Sequence, residues 1–289
     1  MKKLTSPQVI KQILADSGFR FSKSLGQNFL ISDSVLEDMI YGSGINENTN
    51  VIEIGPGFGT LTQQLCQIAK KVVSVEIDDT VIPILTDNLK EFENLKIINA
   101  DILKTDIKKL IEDEFDEGPV KVVANLPYYI TTPIIMALIE QDLPIEMLVI
   151  MIQKEVADRI AAKPGTKDYG ALGIAVNYYC ETEVICNVPA SCFIPQPKVC
   201  SSVIALKKRA TPAVEVDDKK QFFKVVKAAF AQRRKTLLNA LSAGGILGKD
   251  KQSISDILKK AGIDEKRRGE TLSMEEFALV VKEISNHNI

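Results

Sequence analysis

Short apolar runs rich in β-branched residues alternate, over the first two thirds of the chain, with stretches whose apolar residues recur every three or four positions. The runs at 51–54, 71–78, 95–99, 120–124 and 147–152 predict strands. The run at 120–124 is apolar enough to be covered on both faces. Stretches 61–69, 79–89, 133–140 and 154–162 predict helices, with Thr131 or Thr132 as a cap and Pro133 in a first turn. Upstream, 6–17 (ended by Gly18) and 35–41 (capped by Asp33) predict two more. The polar, glycine-marked segment 20–30 between them reads as a loop. A further loop at 163–170, a helix at 171–179 and closing strands at 183–188 and 201–207 complete this part. Strands alternating with helices specify an α/β fold, a mostly parallel sheet with helices on both faces.

The pattern changes near Arg209-Ala210-Thr211-Pro212. Phe222, Val225, Val226, Ala229 and Phe230, then Leu237, Leu238 and Leu241, recur at helical spacing, punctuated by Gly244, Gly245 and Gly262. This predicts a small all-helical domain of three to five helices. The expected division is therefore 1–208, with residues 1–30 as an N-terminal helix and loop, and 209–289.

Chemistry concentrates at strand ends. The strand at 51–54 runs into Gly55-Pro56-Gly57-Phe58-Gly59-Thr60, a turn whose glycines allow backbone to approach a ligand. The helix start behind it leaves N–H groups unpaired. E-I-G-x-G-x-G resembles the first motif of S-adenosylmethionine-dependent methyltransferases; alone it also fits a dinucleotide site or a structural turn. Glu76 ends the next strand, 21 positions past Gly55, where α/β nucleotide folds place a carboxylate for two ribose hydroxyls. Asp101, just past the third strand, is placed to take an adenine amino group. Each acid alone is an ordinary helix cap or solvated charge; together, after this loop, they point to a nucleoside site.

Asn125-Leu126-Pro127-Tyr128 follows the fourth strand, across the sheet's switch point from the glycine turn. An exocyclic adenine amine is a poor nucleophile because its lone pair is delocalised. The Asn125 side-chain oxygen and the Leu126 carbonyl can each accept one amine proton and so favour a pyramidal nitrogen. Pro127 fixes the backbone that aims Leu126, and Tyr128 offers a stacking face worth roughly 1–3 kcal/mol. The plain alternative is a proline turn with a tyrosine plug. Phe193, in the proline-stiffened loop Cys192-Phe193-Ile194-Pro195-Gln196-Pro197-Lys198-Val199, can close the other face of a flipped base; its alternative is a core phenylalanine.

Composition narrows the classes. Five cysteines without a C-x-x-C pair suit reduced thiols in a cytoplasmic protein. The single histidine, His287, argues against histidine metal sites or triads. No apolar run suggests a signal peptide or a membrane span. The net charge of -2 conceals an asymmetry: residues 76–118 carry 13 acidic and 5 basic residues, and residues 207–251 carry 12 basic and 4 acidic. One part of the molecule can therefore face a polyanion.

With F-I-P-Q-P-K-V added to N-L-P-Y, the chain resembles the adenine-N6 dimethyltransferases of ribosomal RNA, above all the bacterial small-subunit branch. Matching stretches run from Lys23-Ser24-Leu25-Gly26-Gln27-Asn28-Phe29-Leu30 to Arg233-Arg234-Lys235-Thr236-Leu237-Leu238-Asn239. The resemblance implies a Rossmann-like, seven-stranded methyltransferase sheet and a helical C-terminal domain that docks on ribosomal RNA. It implies S-adenosylmethionine as cofactor, with Asn28 and Leu30 lining its pocket beside Gly55, Gly57, Glu76, Asp101 and Asn125. Asn125, Leu126, Pro127 and Tyr128 would carry catalysis. Arg20, Lys23, Arg233, Arg234 and Lys235 are expected phosphate contacts, and Tyr128 and Phe193 the base contacts. The expected partner is the small ribosomal subunit and its RNA, with no membrane, no metal and a monomeric chain. Macrolide-resistance methyltransferases share N-x-P-Y and F-x-P-x-P but modify large-subunit RNA; residues 230–237 resemble the small-subunit branch more closely. An assembly factor acting by binding, and a nucleotide-dependent oxidoreductase, are the alternatives from other classes.

Overall fold

The structure, a computed structural model, describes residues 2–19, 21–22, 26–245 and 250–286. They divide into two compact units, Met1–Ala157 with Glu181–Lys208, and Asp158–Cys180 with Arg209–Ile289. The first carries α1 (Pro7–Ser17), β1 (Phe29–Leu30), α2 (Asp33–Ser43), β2 (Asn50–Ile54), α3 (Thr60–Cys66), β3 (Lys71–Glu76), α4 (Ile82–Leu89), β4 (Leu95–Asn99), α5 (Ile107–Glu114), β5 (Val120–Asn125), α6 (Thr131–Ile139) and β6 (Ile145–Gln153). After α7 (Lys154–Ala161) and α8 (Ala171–Tyr179), the chain returns to the sheet through β7 (Cys180–Val188) and β9 (Ser201–Lys208), while β8 (Phe193–Ile194) between them pairs with β1.

The sheet has seven strands in the order β4-β3-β2-β5-β6-β9-β7. β2 pairs in parallel with β3 and β5, β3 with β4, and β5 with β6, while β9 runs antiparallel to β6. Val51, Val123 and Val149 pack with Val35, Leu36 and Met39 of α2 and Leu61 and Leu65 of α3. Their neighbours Ile52, Val122 and Ile150, on the opposite face, are equally buried. Both faces are thus covered, as continuous apolar strands require. The order reverses at β2/β5, which carry the glycine turn and Asn125 at adjacent carboxyl ends.

Several local readings change. α5, which the periodicity does not single out, is an amphipathic helix capped by Asp106, whose carboxylate accepts from the Lys109 N–H at 3.0 Å. Its buried Ile107, Leu110 and Ile111 are masked in sequence by five charged neighbours. Asp33 lies in the first turn of α2 rather than capping it; Ser32 is the cap residue. Thr131 begins α6, and its hydroxyl donates back to the Pro127 carbonyl at 3.0 Å. β3 ends at Glu76, two residues before the apolar pattern predicts, where Asp78 turns the chain through bonds to Thr80.

The second unit holds α8, α9 (Lys219–Ala231), α10 (Leu237–Ala243), α11 (Lys251–Lys260) and α12 (Met274–Asn286). Residues 158–180 belong here, which corrects the expectation that all of 1–208 forms one domain. The physical reason is burial: Tyr169, Ile174 and Tyr178 share the core of Phe222, Val225 and Phe277, with the Tyr178 and Phe222 rings 5.4 Å apart. Asp218, Thr236 and Asp250 cap α9, α10 and α11 through side-chain oxygens. No helix among the described residues is long and apolar enough to cross a membrane.

Candidate active site

One cavity at the carboxyl ends of the parallel strands is lined by Asn28, Leu30, Gly55, Gly57, Glu76, Asp101, Asn125, Leu126, Pro127 and Tyr128. Every residue expected to hold the donor or the acceptor amine is therefore on one wall or another of a single space. Gly55, Gly57 and Gly59 take positive φ of 69°, 57° and 93°, the left-handed region that disfavours other residues. Gly57 is constrained twice. A Cβ there would lie 2.6 Å from Cε1 of Phe29, whose ring stacks on Phe58 with centroids 4.0 Å apart.

Glu76 is buried, and its two oxygens accept from the Gly57 N–H at 3.2 Å and the Asp78 N–H at 3.0 Å. Burial outweighs those donors and holds its carboxyl above the ordinary range. A carboxylate offers about four acceptor positions, which leaves room for hydroxyl donors from the cavity. Asp101 closes a turn by accepting from the Leu103 N–H at 3.0 Å, and Lys104 lies 3.4 Å from its other oxygen. Glu53 also lines the cavity. It is fully buried, accepts from the Ser74 hydroxyl at 2.7 Å, and is pushed up to about 7 by desolvation.

Asn125 ends β5, and its Nδ2 donates to the Asn28 backbone carbonyl at 3.2 Å. That bond fixes the amide, so its oxygen is the end left to accept; among the described residues it takes no hydrogen bond. Asn28 is itself held by its Nδ2 donating to the Gly26 carbonyl at 2.8 Å. Leu126 is buried, and its N–H donates to the Met151 carbonyl at 3.1 Å, anchoring the turn to β6. The Tyr128 hydroxyl is 2.7 Å from that of buried Ser201, which aims the ring; desolvation raises its phenol above the usual range.

Phe193 departs from expectation. It is 1% exposed, lies in the core with Leu30, Val35 and Leu36, and pairs with Leu30 in the two-stranded sheet of β1 and β8. The alternation of β8 turns it inward, so the ring offers no free face for a flipped base. Three residues that sequence reasoning missed join the site. Tyr129 lines the cavity with its side chain half-exposed, its ring over Gly26; desolvation, then Asp101 and Glu76, raise its phenol. Gln27 also lines the cavity, and its amide donates to Asp78, two residues past the end of β3. The N-L-P-Y-Y doublet was the available signal for Tyr129; for the other two, pairing between distant segments leaves no local trace.

In the helical unit, Arg233, Arg234 and Lys235 sit together in the exposed turn between α9 and α10. Arg233 donates to the Lys167 carbonyl and lies 3.4 Å from Glu270, so it also ties this turn to two others. Arg234 and Lys235 make no ion pair among the described residues. Arg20 and Lys23 lie outside the described residues.

A family model described as ribosomal RNA adenine dimethylase matches residues 18–279. The ribosomal RNA small subunit methyltransferase A of Clostridioides difficile (strain 630) is 54% identical over 280 residues, 97% of this chain and 96% of that one. The protein of the same name from Geobacillus thermodenitrificans (strain NG80-2) is 55% identical over 279 residues, covering 96% and 95%. Among solved structures, a dimethyladenosine transferase from Plasmodium falciparum superposes with a TM-score of 0.77 at 26% identity, covering 90% of this chain and 98% of that one. The 23S rRNA methyltransferase ErmE shares the fold, with a TM-score of 0.66 at 24% identity over 89% of this chain and 99% of that one.

Proposed function

Because the chain belongs to the ribosomal RNA adenine dimethylase family, we propose that it methylates the exocyclic N6 of two adjacent adenines near the 3′ end of small-subunit ribosomal RNA. The donor is S-adenosylmethionine, which supplies an electrophilic methyl on a sulfonium. Glu76 would take the ribose hydroxyls with its remaining acceptor positions, Asp101 the adenine amino group, and Asn28, Leu30, Gly55 and Gly57 the surrounding wall. The donor set suits such a group: two carboxylates at successive strand ends beside a glycine turn, with no cationic side chain among the described residues that line the cavity.

The observation that carries the reading is the fixed amide of Asn125 in the same cavity as Glu76 and Asp101. Its oxygen and the Leu126 carbonyl accept the two amine protons of the target adenine, so the nitrogen lone pair localises and points away from them. Tyr128 stacks on the base. The gain is orientation of a dull nucleophile beside the methyl, a contribution of several kcal/mol in well-positioned systems. The turn at Arg233, Arg234 and Lys235 supplies phosphate contacts, which set affinity rather than sequence choice.

The test is mapping by mass of methylated adenines after incubating the protein with labelled S-adenosylmethionine and isolated small or large subunits. Two adjacent dimethyladenines in small-subunit RNA are expected. Label confined to large-subunit RNA, or no transfer to either, overturns the reading.

A further inference from the structure

Side-chain hydrogen bonds tie the N-terminal loop to residues at two strand ends, Gln27 to Asp78 and Asn125 to Asn28. The Gln27 Nε2 donates to Asp78 Oδ2 at 2.6 Å, while its Oε1 accepts from the Ser22 N–H at 2.8 Å. Asp78 is 9% exposed, and its other oxygen accepts from both the N–H and the hydroxyl of Thr80, at 3.0 and 2.6 Å. The Asp78 N–H in turn donates to Glu76, whose second oxygen takes the Gly57 N–H. A continuous chain of hydrogen bonds therefore runs from Ser22 through Gln27, Asp78 and Glu76 to the glycine turn. The residue after Gln27 is Asn28, whose carbonyl accepts from Asn125.

We propose that Gln27 is a positioning residue for methyl transfer, acting on both halves of the site through Asp78 and Asn28. On one side it fixes the turn that presents Glu76 to the donor. On the other it holds the Asn28 carbonyl at the distance that orients the Asn125 amide. Gln27 itself touches neither reacting atom. The choice of an amide follows from its partners: one end must accept from a backbone N–H and the other must donate to a carboxylate, which neither Glu nor Lys can do. This rests on the function proposed above.

The test is a charge-neutral exchange. Gln27→Glu alone sets two carboxylates against each other. Adding Asp78→Asn restores complementarity: the new carboxylate at position 27 accepts from Ser22 and from the new amide at position 78, whose oxygen still accepts from Thr80. Donor affinity is read by calorimetry with S-adenosylmethionine in the absence of RNA, and kcat with small subunits. Wild-type transfer, measured in parallel, tests the proposed function separately. Gln27→Glu is expected to weaken donor binding about tenfold or more and to lower kcat, the scale of a lost charge-assisted bond. The double variant is expected to recover to within roughly threefold of wild type in both. Wild-type binding and turnover in Gln27→Glu, or a double variant no better than that single one, overturns the proposal.

Discussion

The side-chain amide of Asn125 donates to the backbone carbonyl of Asn28 at 3.2 Å, across 97 residues of sequence. An asparagine has one donating and one accepting end, and this bond decides which faces the cavity. Asn125→Asp keeps acceptor oxygens but loses the N–H and sets a negative charge against the Asn28 carbonyl. Methyl transfer is expected to fall by about tenfold to a hundredfold, the range of a lost charged or well-placed hydrogen bond, when initial rates on small subunits are compared. Undiminished rates would show that orientation through Asn28 is dispensable.

Gly57 is expected to tolerate no side chain. Gly57→Ala places a Cβ in the left-handed region, which costs about 1–2 kcal/mol, and drives it into the Phe29 ring at 2.6 Å. The melting temperature and donor affinity should fall together, because the ring it displaces belongs to the loop that lines the cavity. Calorimetric unfolding alongside donor titration reads both.

Glu53 gives stability a pH dependence of known sign. Burial holds its carboxyl at about 7, above the ordinary 4.5. Between those values the folded chain keeps a proton that the unfolded chain releases, so its contribution falls as pH rises through this window. Glu53→Gln removes the dependence while an amide oxygen can still accept from Ser74. Relative to wild type, the variant should gain on the order of a few kcal/mol between pH 4 and pH 8. Parallel denaturant titrations at both pH values check this; a constant difference contradicts it.

Phe193→Ala is expected to act on stability. Truncating a fully buried phenylalanine costs about 3–5 kcal/mol, and the Phe193 ring packs on Leu30, Val35 and Leu36. Loss of RNA affinity without loss of stability would instead indicate a base-stacking role.

Arg234 and Lys235 should act through phosphate. Replacing both by Ala is expected to weaken binding to the small subunit and to flatten the slope of log affinity against log salt by roughly two. Arg233→Ala should in addition lower the melting temperature, because Arg233 holds Lys167 and Glu270. Subunit binding at several salt concentrations, with a melting curve for each variant, separates the two effects.

Much of the site was legible because its signals are local. Gly55 and Gly57 demand positive φ, Glu76 and Asp101 terminate apolar runs, and Pro127 marks the end of β5, so adjacent residues report each feature. What escaped depends on distant pairing. Gln27 and Asp78 are 51 positions apart, so although each adjoins a segment that stands out in sequence, nothing local reports that they pair. α5 escaped because charge hides its three buried residues. Residues 158–180 gave a correct helix at α8, but periodicity says that a face is apolar, not which core covers it. Phe193 looked exposed because two prolines follow it, whereas pairing with Leu30 turns it inward.

The central claim is that the Asn125 oxygen and the Leu126 carbonyl make the target amine reactive. It is tested most directly by single-turnover methyl transfer with Asn125→Ala saturated with S-adenosylmethionine and bound to small subunits. Donor affinity is expected to stay near wild type while the transfer rate drops by about a hundredfold or more, the size of effect seen when a preorganised group serving the transition state is removed. Transfer at the wild-type rate from that complex would contradict it.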